Sequence, residues 1–434
     1  MPRSVGRRGD DGAPPEGACG ELTRRDFLGG VAVGAGSLLL DACASGHGSA
    51  TRSAGTSTGA ASASLAVSPS ASFGPQLDRF MLAHMRGAHV PSIAAAAMRG
   101  TQLKWSNGYG QANIEQNTLS TPDTVYAVAC LSKTIICCAF MQLWEAGSAD
   151  LDADVNTYLP FEVRNPNYPS MKITPRMLLT HTSSIRDDFA VWGSPTDPTP
   201  QGYCPGDPTI PLGSWLADYL APGGAYYTAK ENYYDDVHPG ARYRYSHIAT
   251  DAAAYIVECV SGTPFGDYCK ASIFAPLSMA QTGYHLADIT TTNLAMPYQY
   301  NSAGGAFTPY YQYGLPNYPS RGLRTSASAL SRWLRCFMNF GELDGVRILE
   351  KATVREIRRP QIPGNDWQGL IWYYSGSNSQ RLLSHNGYDY GAFSRMQFDP
   401  ARDVGIVELS NRWIDERESR NQYLAIQDRL FELA

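Results

Sequence analysis

An α+β fold is expected from two observations. Short apolar segments of strand length lie near both ends of the folded part, and a helical middle separates them. One sheet assembled from both ends, with an inserted helical region at about 150–320, satisfies both. The first two strands are VPSIAAAAMRG and TQLKWSNGYGQA, joined at Arg99-Gly100, the second alternating around Leu103 and Trp105. Thr124 to Ala146 has no glycine or proline and reads as one buried helix closed by Gly147. Towards the C-terminus WQGLIWYY, GAFSRMQFD and VGIVELSN read as successive strands, and Glu416 to Ala434 as a closing helix. No internal repeat is visible.

Before the folded part come two segments of another kind. Residues 1–43 contain Arg24-Arg25 and a short apolar run ending at Leu40-Asp41-Ala42-Cys43. This resembles a twin-arginine export signal running into a lipobox, with Cys43 the lipidated residue; Asp41 is unusual there. Residues 44–74 are almost entirely Ser, Ala, Gly and Thr, a linker unable to bury enough apolar surface to order itself. The expected location is therefore the cell envelope, with a lipid anchor on a membrane surface and residues 75–434 as the working domain.

The 434 residues carry a net charge of -5, with 43% hydrophobic and 17% charged residues, so no basic surface for nucleic acid is offered. The nine cysteines follow neither a disulfide-scaffold nor a zinc spacing, and most read as small apolar core residues. No H-E-x-x-H, phosphate loop or dinucleotide fingerprint is present, and no cofactor is implied. One lysine stands out: Lys133 is the sole charge between Val125 and Leu143, and a lone buried ammonium needs a partner or a task.

Seven motifs in order carry a family resemblance: VYAVACLSKT (125–134), LDADVNTYLP (151–160), ITPRMLLTHTSSI (173–185), PGARYRYSH (239–247), FAPLSM (274–279), RGLRTSASAL (321–330) and LLSHNGYDYGAFS (382–394). From about residue 76 to 434 the chain resembles the class C β-lactamase, penicillin-binding-protein, esterase and D-aminopeptidase family. The resemblance implies a β-lactamase/transpeptidase-like fold with an antiparallel sheet flanked by helices, an active site between sheet and helical subdomain, and acyl transfer from a small-molecule or peptide acyl substrate through a covalent intermediate.

The family's nucleophilic serine opens an S-x-x-K motif, in which residues i and i+3 share a helix face. The aligned residues are Cys130 and Lys133, so a cysteine stands where the serine is expected and a thioester is the implied intermediate. Ser132 is adjacent to Lys133 and out of register. The Y-x-N motif appears as Tyr245-Ser246-His247, with Tyr245 the implied acid/base and His247 replacing asparagine among the substrate-binding groups. His385, Asn386 and Gly387 match the H-x-G of esterase-like relatives. The N–H of Cys130 and one near Tyr388 are the implied oxyanion hole.

Plainer readings stand beside these. Cys130 is also the kind of small residue that fills a helix core, as Cys137 and Cys138 do, and His247 and His385 suit packing as well as a cleft. His181 reads as a structural hydrogen-bonder. The tyrosines at 226, 227, 233, 234 and 298–318 either grip an acyl group or cover the helical region. A silent lipoprotein that binds cell-wall peptide or a partner is the rival to an enzyme, favoured by the departures at Cys130 and His247.

Overall fold

The computed structural model describes residues 74–199, 201–376, 381–413 and 417–434. The expected signal, Cys43 and nearly all of the 44–74 linker lie outside the described residues. Seven strands form one antiparallel sheet: β1 (Ser92–Arg99), β2 (Gln102–Asn113), β3 (Thr118–Leu119), β6 (Tyr373–Ser375), β7 (Leu382–Asp389), β8 (Ala392–Asp399) and β9 (Val404–Ser410). Their order is β6-β7-β8-β9-β1-β2-β3. The closure of the two chain ends is the β1–β9 pairing, which sets Ile93 opposite Ser410 and Arg99 opposite Val404.

Both faces of this sheet are covered, which is why β1 reads as a nearly unbroken apolar run. Ala94, Ala96 and Met98 enter the large core beneath the helices, whereas Ile93, Ala95 and Ala97 face the terminal helices α1 (Pro75–Gly87) and α5 (Arg417–Leu433). In α1 the spacing of Leu77, Met81 and Met85 puts all three on that inner face, where each is fully buried. Burial of one such side chain stabilises by ~1.5–3 kcal/mol.

On the other face lie α2 (Lys133–Glu145), α3 (His247–Ser261) and α4 (Ala327–Met338). α2 is apolar on almost every side, as a helix inside a core must be. It is shorter than expected. Val125–Ala127 is a strand, β4, paired with β5 (Arg324–Ser326), and a 3₁₀ turn over Ala129–Ser132 follows it. Two causes are visible. The Tyr126 hydroxyl is held by Ser92 Oγ at 2.9 Å and Ser120 Oγ at 2.7 Å, which ties this segment to the sheet. Ala129 then has φ 49°, a conformation that cannot lie within an α-helix.

The other departure is the segment 367–374, expected as a strand, which reaches strand geometry only at Tyr373–Ser375 because Ile371 at φ 63° breaks the extended run. The middle region contains short helices, among them Phe189–Trp192 and Leu212–Leu220, and a small hairpin at Tyr298–Asn301 and Ala306–Pro309. Tyr233, Tyr298, Tyr313 and Tyr318 are buried packing residues there. No helix among the described residues is long and apolar enough to cross a membrane.

Candidate active site

The site is built where the 129–132 turn meets β7. Ser394 Oγ on β8 donates to Val128 O at 2.6 Å, and Val128 N–H donates to Leu323 O at 3.0 Å, so the turn is fixed from both sides. Gly387 is required by the close approach of β7: a Cβ there would lie 2.3 Å from Val128 O and 3.0 Å from Cys130 N. The backbone therefore brings the Cys130 amide beside the 387–388 segment, and Tyr388 O lies 3.9 Å from Cys130 Sγ. The turn runs directly into α2, so the sulfur sits at the positive end of a helix, where a thiolate is favoured. The strained φ of Ala129 immediately precedes it, the kind of backbone outlier found at functional turns. Cys130 is disulfide-bonded in the structure, whereas Cys137, Cys138, Cys204, Cys259, Cys269 and Cys336 are free.

His247 is the first residue of α3, and its Nε2 lies 3.5 Å from Cys130 Sγ. Its Nδ1 lies 2.8 Å from Asp187 Oδ2. Asp187 accepts three further hydrogen bonds: from Ser246 Oγ (2.8 Å), His247 N–H (2.8 Å) and Ile248 N–H (3.2 Å). Burial alone would raise this carboxyl, but the bonds from His247 and Ser246 hold it below its ordinary value. His247 itself is pushed down to about 3 by burial, with Lys133 adding and Asp187 opposing, so the imidazole is neutral. Because a carboxylate only accepts, the proton belongs on Nδ1 and the lone pair on Nε2 faces the sulfur. Trp192 and Tyr245 both meet the ring edge-on, at 5.5 Å and 5.1 Å, and hold its plane.

Lys133 is fully buried, and burial lowers its ammonium from the ordinary value. Its Nζ donates to Ser320 O at 3.0 Å and lies 5.1 Å from the Tyr245 ring centre. The same 317–320 turn is held by Asp251 on α3, which accepts from Ser320 N–H (2.7 Å), Asn317 Nδ2 (2.9 Å) and Ser320 Oγ (3.1 Å). Tyr245 packs against His181 at 4.3 Å, and burial pushes its phenol well above the usual range. His181 Nδ1 accepts from Ser246 N–H at 3.3 Å, a structural bond. His385 on β7 donates from Nδ1 to Asn386 O at 2.9 Å, and burial and Lys133 push it down to about 3. Ser132 Oγ donates to Ala129 O at 2.6 Å and accepts from Leu323 N–H at 3.2 Å, away from the sulfur.

The fold thus gathers Cys130, Lys133, Tyr245, His247, His385, Gly387 and Tyr388 around one turn. Sequence reasoning missed Asp187 and a buried group behind it: Arg321, whose guanidinium lies 4.2 Å over Trp192 and donates to Tyr203 Oη at 2.9 Å, while Tyr203 donates to Asp389. The pairing of Cys130 with His247 did carry a signal: cysteine for serine and histidine for asparagine, two separate departures from the family motifs, together are a thiol and an imidazole, a pair with its own chemistry. Nothing in the sequence singled out Asp187 from Asp188, which caps the Phe189–Trp192 helix by accepting from Ala190 N–H at 3.0 Å.

Comparison with known proteins agrees with this architecture. The family model described as Beta-lactamase matches residues 77–429. Protein flp of Staphylococcus aureus (strain N315) is 22% identical over 342 residues, 77% of this chain; the match spans 62% of that protein's length. The D-amino acid amidase from Ochrobactrum anthropi SV3 complexed with D-phenylalanine superposes with a TM-score of 0.64 at 18% identity, covering 82% of this chain and 98% of the amidase. EstCE1, a hydrolase with promiscuous acyltransferase activity, gives 0.62 at 18% identity, covering 82% of this chain and 100% of its own.

Proposed function

The chain belongs to the beta-lactamase family, and from that premise we propose that it is an acyl-transfer enzyme working through a thioester at Cys130. The substrate is an ester, amide or lactam. The observation that carries the reading is the position of Cys130, at the amino end of α2 with its backbone N–H beside β7 and its sulfur within reach of a neutral imidazole. That is where a nucleophile needs to be for the N–H groups of Cys130 and Tyr388 to receive the oxyanion. Fold neighbours that are an amidase and a hydrolase with acyltransferase activity support the same reaction type. A thiol ionises at about 8.5, far more readily than a serine hydroxyl, so little activation is needed. Its thioester also passes acyl groups to amines as well as to water. In this reading Tyr245, edge-on to the His247 ring at 5.1 Å, lines the same site, and His385 and Gly387 line the substrate side of β7.

The test is acylation of the reduced protein by a panel of aryl esters and a fluorescent β-lactam, followed by intact mass. A single adduct on Cys130 that disappears in Cys130→Ala is expected. An adduct that persists in Cys130→Ala, or none with any acyl donor, defeats the reading and leaves a binding role. Arg24-Arg25 and Cys43 support the further proposal that this enzyme is exported and anchored at a membrane surface. Membrane fractionation of wild type beside Cys43→Ala checks it, since equal partitioning removes the anchor.

A further inference from the structure

We infer that His247 is the general base for Cys130 and that Asp187 positions it, so that a cysteine–histidine–aspartate triad, rather than the lysine of the S-x-x-K pattern, activates the nucleophile. This rests on the acyl-transfer reading above and assigns its proton transfers. Three independent observations meet here. The Nε2 of His247 is 3.5 Å from the sulfur, within hydrogen-bonding range for so large an atom. The Nδ1 on the far side of the ring is taken by Asp187 at 2.8 Å, and that carboxylate is itself locked by Ser246 and by two N–H groups of the α3 amino terminus. Lys133, the alternative base, spends its amine on Ser320 O at 3.0 Å, in the turn that the Asp251 carboxyl of α3 also binds.

The two departures from the family motifs then explain each other. A C–S bond is longer than a C–O bond, so sulfur at this position reaches further towards Nε2 than a serine hydroxyl would. An asparagine at 247 offers no titratable nitrogen. Burial makes the resting imidazole a poor base, and Lys133 and Arg321 depress it further while Asp187 opposes them. A thiolate 3.5 Å away is an additional anion that appears only as the proton moves, and it favours the imidazolium in turn.

The sequence of steps balances. Once an added thiol reductant has opened the Cys130 disulfide by exchange and left the sulfur as a thiol, the S–H proton passes to Nε2 as a sulfur lone pair forms the C–S bond at the substrate carbonyl, and the oxyanion forms on the carbonyl oxygen. Its collapse breaks the C–O or C–N bond, and the leaving alkoxide or amine takes the proton from Nε2. Water, or an amine acceptor, then gives a proton to Nε2 while attacking the thioester. The C–S bond breaks, sulfur leaves as thiolate and recovers the proton.

The experiment measures acylation by a p-nitrophenyl ester and the pH profile of iodoacetamide alkylation, both on reduced protein. His247→Gln should acylate ~10²–10⁴-fold more slowly. Its alkylation profile should move up to that of an isolated thiol, about 8.5. His247→Asn, carrying the residue of the family motif, should behave in the same way and covers a fold defect specific to glutamine. Asp187→Asn should shift the profile in the same direction by less, an effect that a merely structural carboxylate does not have. If His247→Gln and His247→Asn melt like wild type and keep its acylation rate and profile, the triad is wrong while a silent Cys130→Ala still upholds the thioester. If Cys130→Ala acylates, the enzyme reading itself fails.

Discussion

Two buried carboxylates flank the nucleophile turn, and they have been driven in opposite directions. Asp187 and Asp251 are both withdrawn from water, and each accepts several hydrogen bonds. Asp187 lies below its ordinary value, held there by His247, Ser246 and the first N–H groups of α3. Asp251 lies above its own, because burial outweighs the help of Lys133, Asn317 and Ser320. The difference lies in the donors. An imidazole and a helix amino terminus sustain a charge at fixed geometry, which suits a group that must orient a base. A lysine in the same low-dielectric interior is driven towards its neutral form as the acid is, which suits an internal tie between α2, α3 and the 317–320 turn.

The comparison breaks most visibly at Lys133. Lys133→Met leaves the buried Ser320 O without its donor and removes the coulombic support of Asp251, and should cost about 2–3 kcal/mol in urea unfolding. Lys133→Met/Asp251→Asn should recover the part of that owed to Asp251. Asp187→Asn keeps one acceptor oxygen and should cost only about 1–2 kcal/mol, while its acylation falls far more than its stability. If Lys133→Met removes acylation without touching the urea midpoint, the two carboxylates have their roles exchanged.

Acid sharpens the same contrast. His181, His247 and His385 are all held below the ordinary histidine value, chiefly by burial and then by Lys133. With a folded value of about 3 for His247 and His385, and about 6.5 unfolded, the unfolded chain binds more protons throughout that window. Stability therefore falls as pH falls below about 6.5, by roughly 1.4 kcal/mol per pH unit for each histidine kept neutral. His385→Gln should remove one such share from the slope of melting temperature against pH. A slope unchanged between pH 6.5 and 5 would contradict the neutral cluster.

Much of the fold was legible, because the sheet strands announce themselves by composition. The alanine run of β1 and the apolar VGIVELS of β9 both read as strands, and their antiparallel pairing joins the two chain ends. The segment 124–132 was not, because a window free of glycine and proline looks helical whatever its backbone does. The strand and the left-handed Ala129 are imposed from outside, by Ser92, Ser120 and β5. In the site, residues sharing a motif were found and partners from distant segments were not. Asp187 and Cys130 are 57 positions apart in the chain, and the packing of α3 against α2 brings His247 between them.

The smallest effect is expected at Ser132, the hydroxyl two residues from the sulfur. Its Oγ is engaged by Ala129 O and Leu323 N–H, both backbone groups of the frame that fixes the turn. Ser132→Ala leaves the Leu323 N–H without its acceptor in a buried place, which costs about 1–2 kcal/mol. Acylation should remain within a few-fold of wild type, because neither the sulfur nor His247 loses a contact. The measurement is the urea midpoint beside the p-nitrophenyl ester rate. An abolished rate at an unmoved midpoint would mean that Ser132 attacks the substrate, and the lysine side of the turn would then carry the chemistry assigned to the histidine side.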